Sequence, residues 1–142
     1  MKRDQMIKYI LKNAEEINRL KKAINDTFKH RKTDEQAWHR ATQEFHAAYD
    51  RLAFPGGLEE GLERLKQHDL STVELAVIYL EANPYYFRSG YNKEKIAQFL
   101  KKAPLTDDQK QRLLDVIAAA AQDKDQRKLR VYNALAKTIT KK

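Results

Sequence analysis

Ser71-Thr72-Val73-Glu74-Leu75-Ala76-Val77-Ile78-Tyr79-Leu80-Glu81-Ala82-Asn83-Pro84-Tyr85-Tyr86-Phe87-Arg88-Ser89-Gly90-Tyr91-Asn92-Lys93 decides how this chain folds. Its first half is apolar nearly all round a helix, which predicts a buried central helix over 72–82. Ser71 and Glu74 have capping-box spacing, the serine oxygen accepting from the Glu74 amide while the glutamate reaches back. Asn83-Pro84 ends that helix, with Asn83 expected to cap a short turn and Pro84 at its first position. Tyr85, Tyr86 and Phe87 then fill a corner where two helices reverse direction, with tyrosine hydroxyls at the surface. Ser89 or Asn92 is expected to cap the next helix, and Gly90 to ease its start.

Working outward, the same helical period holds in both directions. Towards the N-terminus, Ile7, Ile10, Ala14, Ile17, Leu20, Ile24 and Phe28 recur every three or four residues, one stripe of a long amphipathic helix from Asp4 to about Lys29. Thr33 or Asp34 is a suitable N-cap for a second stripe at Trp38, Ala41, Phe45, Ala48, Tyr49 and Leu52. Two long helices with a short connection form an antiparallel hairpin. Phe54-Pro55-Gly56-Gly57 stops it, and a shorter helix follows over Leu58 to Gln67. Towards the C-terminus, a helix with Ile96, Phe99 and Leu100 inward ends near Lys102. Thr106-Asp107-Asp108-Gln109 is a second capping box, opening a helix through Leu113, Leu114 and Ile117. Its alanines, Ala118 to Ala121, suit close helix approach. Asp123 or Asp125 is expected to cap a last helix bearing Leu129, Tyr132, Leu135, Ala136 and Ile139. No period-2 strand pattern occurs. The fold class is all-α, a single domain over 1–142 with a helical hairpin at 1–54 and an array of about five shorter helices at 58–140.

In helix length and layout, residues 58–140 resemble HEAT-like and related α-solenoid units. The segment YLEANPYYFRSGYNKEKIAQFLKKAPLT is also similar to segments of small helical bacterial proteins of unassigned function. The resemblance implies an α-solenoid-like array and brings no active site with it.

Composition narrows the function classes. No cysteine is present, which excludes disulfides, thiolate metal sites and thiol nucleophiles. The N-terminus leads into a charged amphipathic pattern rather than a signal peptide, and no apolar run is long enough to span a bilayer; a cytoplasmic protein without a membrane partner is expected. The net charge of +8 is unevenly spread. Residues 1–32 carry ten Lys/Arg against four Asp/Glu, residues 33–82 four against ten, and residues 83–142 fourteen against six. Part of the positive charge is therefore expected to face the acidic middle rather than an external polyanion.

Patterns that carry chemistry are few. Glu35/His39 and His46/Asp50 each share a helix face at i, i+4, which fits helix-stabilising pairs better than metal ligation. The acids fall at expected caps (Asp34, Glu74, Asp107, Asp125) or on exposed faces (Glu59, Glu60, Glu63). There is no nucleophile elbow, Walker A loop or dinucleotide fingerprint. The expected protein is non-enzymatic, with no cofactor, metal or catalytic residue. Its candidate binding residues are Tyr85, Tyr86, Arg88, Ser89, Tyr91 and Lys93, where a guanidinium and aromatic rings adjoin a helix N-terminus. The expected partner is another protein, as for an adaptor or a toxin-neutralising immunity protein. The acidic Glu59, Glu60 and Glu63 are a second candidate patch for a basic partner. The alternative partner is a nucleic acid, contacted by Lys8, Lys12, Arg19, Lys22 and Lys29 of the first helix together with Arg88. The C-terminal basic residues Lys124, Arg127, Lys128, Arg130, Lys137, Lys141 and Lys142 read instead as a solvated face and a helix C-terminus.

Overall fold

The computed structural model describes residues 2–123 and 126–141. Asp125 as a helix cap, and Lys124 and Lys142 among the basic residues, lie outside the described residues. Among the described residues seven α-helices follow in order: α1 (Arg3–Lys29), α2 (Glu35–Ala53), α3 (Leu58–Lys66), α4 (Leu70–Ala82), α5 (Ser89–Leu100), α6 (Asp107–Ala119) and α7 (Leu129–Thr140). A short 3-10 turn (Ala120–Gln122) follows α6, and no strand occurs among the described residues.

The apolar stripe of α1 packs along α2, burying Ile10, Ala14, Ile17 and Leu20 against a face that includes Ala41, Phe45 and Leu52. Asp34 caps α2, its carboxylate accepting from the Ala37 amide at 3.1 Å. The hairpin ends as its proline and glycines require, with Gly56 and Gly57 at φ of 84° and 101°. Asp50 of α2 takes over the start of α3, accepting from the Glu59 amide at 2.9 Å. Gly61 lets α3 approach the end of the hairpin, because a Cβ there would lie 2.5 Å from the Phe54 ring.

Helix α4 is the hub. It packs against α1, α3, α5 and α6, and Val73, Ala76, Val77, Tyr79 and Leu80 are all essentially inaccessible. An all-round apolar helix has no face to give to water, so it takes the one position enclosed on every side. The remaining contacts sort the helices into two rows: α2, α3, α5 and α7 in one, α1, α4 and α6 in the other. The shared core includes Ile17, Ile96, Ala97, Leu100, Leu113 and Leu135.

Two local expectations change. Helix α4 starts one residue before Ser71, at Leu70, with Asp69 as its N-cap. The Asp69 carboxylate accepts from the hydroxyls of Ser71 (2.9 Å) and Thr72 (2.6 Å), so Ser71 is not the cap. Glu74 faces α6 instead, where Arg112 donates to it at 2.9 and 3.0 Å. The alanine run also behaves differently: only Ala120 is buried, while Ala118, Ala119 and Ala121 are exposed as α6 tightens into the 3-10 turn. The Thr106–Gln109 capping box forms as expected, with reciprocal bonds of 3.0 and 3.1 Å.

Candidate functional site

The connection between α4 and α5 carries the aromatic–arginine stretch and lies against both helices of the hairpin. Asn83 ends α4 in the left-handed region (φ 51°), its amide donating to the Tyr79 carbonyl at 3.1 Å. It therefore caps the C-terminus of α4 rather than opening a turn, a role that asparagine fills because it tolerates this conformation. Beyond it the backbone is strapped to the hairpin at two points. Asn18 of α1 donates to the Tyr85 carbonyl (2.9 Å), and the Tyr49 hydroxyl of α2 donates to the Phe87 carbonyl (2.9 Å). The chain then turns, with Ser89 N–H donating to the Tyr86 carbonyl and the Ser89 hydroxyl accepting from the Tyr86 amide. Arg88 is the N-cap residue of α5 and is left-handed (φ 68°). Ser89 is thus the first residue of α5, and Asn92 is inside the helix; neither occupies the expected cap.

This path divides the stretch into an inner and an outer set. Tyr86 (4% exposed) is inside, where its hydroxyl bonds to the Tyr79 hydroxyl, the Ala53 carbonyl (3.1 Å) and the Asn92 amide (2.9 Å). Asn92 also donates to the hydroxyl of the half-buried Tyr49 at 3.1 Å, so three phenols and one amide form a connected network running from the interior to the edge of α2. Burial, then the neighbouring Tyr86, push the Tyr79 phenol far above its ordinary value, which keeps it a neutral hydrogen-bonding group.

A second buried polar cluster lies below the corner. Lys93 and Lys128 are both enclosed, at 1% and 0% exposure, and both donate to the Asn83 side-chain carbonyl, at 2.8 and 3.3 Å. Asp123 pairs with Lys128 (2.7 Å) and accepts from the Asn83 amide (3.1 Å). The cluster ties the end of α4 to α5 and to the start of α7. Lys93 is therefore an interior group rather than a surface contact, as are Tyr86 and Ser89. Lys128 likewise belongs to the interior, not to a solvated basic face, and Asp123 serves this cluster rather than capping α7. Sequence reading missed both clusters, because buried lysines and buried hydroxyls have no local signature.

The outer set is Tyr85 (54% exposed), Phe87 (45%), Arg88 and the half-buried Tyr91. Cations stand over two of these rings, Phe87 and Tyr91. The Lys21 ammonium lies 4.5 Å from the Phe87 centroid, and Phe87 meets Phe45 edge-on at 6.0 Å. Around Tyr91 are the Arg88 guanidinium (4.8 Å), that of Arg127 (5.2 Å) and the Lys95 ammonium (5.4 Å). Arg88, Gly90, Tyr91 and Arg127 line a shallow cavity of about 320 Å³. Arg127 pairs with Glu94 at 3.1 Å, while Lys21, Arg88 and Lys95 make no ion pair among the described residues. The Arg88 guanidinium thus faces an aromatic ring at the surface and not a carboxylate.

The other candidates are arranged differently. On α1, Lys8, Lys12, Arg19, Lys22 and Lys29 are all exposed. Arg19 is paired with Glu16 and Lys22 with Asp26, which leaves Lys8, Lys12 and Lys29 of the five without an ion pair among the described residues. Glu59, Glu60 and Glu63 line a groove with Asp50, and Glu60 is engaged by Arg64 at 2.9 Å. His39 hydrogen-bonds to Glu35 at 3.0 Å. No group of three or more metal-ligating side chains occurs among the described residues, and no described helix is long and apolar enough to cross a membrane.

One ionic network escaped the sequence reading. Arg112 of α6 bridges Glu74 and Glu81 of α4 and reaches Asp108, and Arg3 of α1 also pairs with Glu81 (2.6 Å). Burial pushes the Glu81 carboxyl up, but hydrogen bonds from Arg112 and Arg3 more than offset it and hold the group below the usual carboxylate range. This network joins the three helices of one row. It accounts for part of the attraction between the basic ends and the acidic middle of the chain.

Comparison with protein-family models, with curated proteins and with solved structures gives no match for this chain.

Proposed function

We propose that this chain is a non-enzymatic protein-binding module, in which the two helical rows act as a solenoid-like scaffold and the α4–α5 corner as the contact surface. The observation that carries this reading is the outer set: Tyr85, Phe87, Arg88 and Tyr91 are presented together on a backbone pinned by Asn18 and Tyr49. Tyrosine and arginine are the residues that most often anchor protein interfaces, and a pinned backbone lowers the entropy lost on binding. The alternative, nucleic-acid binding, gains less support. Two of the five α1 cations are neutralised within the helix, and cations already stand over the Phe87 and Tyr91 rings on which bases would stack.

Photo-crosslinking in the cells that produce the protein tests this directly. A photoreactive residue replacing exposed Tyr85 is expected to form a discrete protein adduct, and the same residue at exposed Gln111 on α6 is not. Adducts to nucleic acid at position 85, or equal protein adducts at both positions, refute the proposal.

A further inference from the structure

The charge at the corner is unbalanced in a way that specifies its ligand. Four cationic groups surround the two outer rings: Lys21 from α1, Arg88 and Lys95 from α5 and its cap, and Arg127 before α7. Among the described residues one carboxylate, Glu94, is paired with any of them. Elsewhere in the molecule Arg112 has three acidic partners and Arg3, Arg19, Lys22, Arg64 and Lys128 have one each, while exposed cations such as Lys8, Lys12 and Lys29 have none among the described residues and stand over no ring. At the corner aromatic faces take the place of counter-ions. A ring face orients a cation and strips part of its water without neutralising it, so the group stays available to an incoming anion.

We infer that the corner recognises an acidic protein segment, its carboxylates placed against Lys21, Arg88 and Lys95 and its backbone crossing the exposed edges of Tyr85 and Phe87. The inference rests on the protein-binding reading of the same surface and specifies the chemistry of its partner. Carboxylates fit better than a phosphate backbone for two reasons. The ring faces that a base needs are taken by cations, and the α1 cations that would continue a phosphate track past Lys21 are self-paired at Arg19 and Lys22. Guanidinium groups in a shallow cavity suit the forked oxygens of Asp and Glu.

Fluorescence anisotropy with a labelled Glu–Gly repeat peptide, its Gln–Gly counterpart, and single-stranded RNA of matched charge tests the inference on the full chain. The acidic peptide is expected to bind, the amide peptide not to bind, and the RNA to bind more weakly than the acidic peptide at equal salt. The double variant Arg88→Gln/Lys95→Gln is expected to lower affinity for the acidic peptide about tenfold. A control removes the same charge from further along α1: Lys8 and Lys12 lie about 20 and about 14 Å along the helix from Lys21, and Lys8→Gln/Lys12→Gln is expected to change affinity less than about twofold. Equal losses in the two double variants would mean attraction by net charge alone and would overturn the inference. Tighter binding of RNA than of the acidic peptide would overturn it too. A protein adduct at position 85 combined with no acidic-peptide binding overturns the acidic partner while leaving the protein-binding reading in place. Thermal melts of each variant, expected within a few degrees of the parent, separate lost binding from lost folding.

Discussion

Tyr86 and Phe87 are neighbours in the chain and play different parts in the molecule. Tyr86, with Ser89, Asn92 and Lys93, faces inward and has its polar groups bonded to named atoms of α2, α4 and α5 or of the connection itself. Phe87, with Tyr85, Arg88 and Tyr91, faces outward; the Phe87 and Tyr91 rings meet mainly cations and a ring edge. Folding explains the first set, since each buried polar group must find a partner or cost stability. It does not explain the second, because an exposed phenylalanine and a left-handed arginine add little to packing. A binding surface is therefore to be sought in the residues for which folding gives no reason.

The inner set should break first and most. Tyr86→Ala removes a buried ring and strands the Tyr79 hydroxyl, the Asn92 amide and the Ala53 carbonyl. The expected loss is about 4 kcal/mol in urea unfolding. Tyr86→Phe keeps the ring and loses only the hydroxyl, for an expected loss of about 2 kcal/mol. Values near zero for both would show that the phenol network is incidental and would dissolve the distinction between inner and outer residues.

Lys128→Ala comes next, at about 3 kcal/mol, because it leaves Asp123 without its ammonium partner and opens space below Asn83. The double variant Lys128→Met/Asp123→Asn removes both charges and is expected to recover most of that loss. A double variant as unstable as the single one would mean that the buried ammonium itself, and not the unpaired charge left behind, stabilises the junction of α4 and α7.

How much of this was legible in advance depends on whether the deciding partner is near in sequence. The spacing of Ile10, Ala14, Ile17 and Leu20 defines one face of α1 without reference to anything else, and the helix forms over the expected span. Thr106 and Gln109 cap each other, so their box forms as read. Ser71 and Glu74 have equivalent spacing and do not, because Asp69 captures the serine and threonine hydroxyls and Arg112, thirty-eight residues away, captures the glutamate. The corner was legible as a corner, since proline and packed aromatics mark one. Its division into inner and outer residues was not, because three consecutive aromatics look alike until the backbone path is known. The burial of Lys93 and Lys128 was least accessible of all: it depends on Asn83 and Asp123 meeting across forty residues, and lysine is ordinarily a surface residue.

Acid separates the corner from the ionic network on α1, α4 and α6. Glu81 has a folded-state pKa held below its unfolded value by Arg112 and Arg3, against the opposing effect of its burial. Its contribution is therefore complete above the ordinary carboxylate range and is lost as pH falls through the depressed folded value. Urea unfolding from neutral pH down through the carboxylate range is expected to show a decline of about 1 kcal/mol more in the parent than in Glu81→Gln/Arg112→Gln. The Tyr79–Tyr86 network carries no group that titrates there, so Tyr86→Phe is expected to run parallel to the parent across the same range. A Tyr86→Phe curve that converges on the parent in acid would place an acid-sensitive group at the corner.

The smallest stability effect is expected at Arg88, and its sign is the informative part. A non-glycine residue at φ 68° carries a conformational cost that glycine avoids, while glycine also gains entropy in the unfolded chain. These two effects nearly cancel, and the Tyr91 contact is lost as well, which puts Arg88→Gly within about 1 kcal/mol of the parent. The change stabilises if relief of backbone strain outweighs the other two. If the arginine were there for folding, the same change would destabilise. Binding of the acidic peptide is expected to fall in either case, because the guanidinium over Tyr91 is gone. A variant that folds as well as the parent or better and binds less well would place Arg88 with the residues kept for recognition. A variant that loses stability by about 2 kcal/mol or more while binding unchanged would move Arg88 to the inner set.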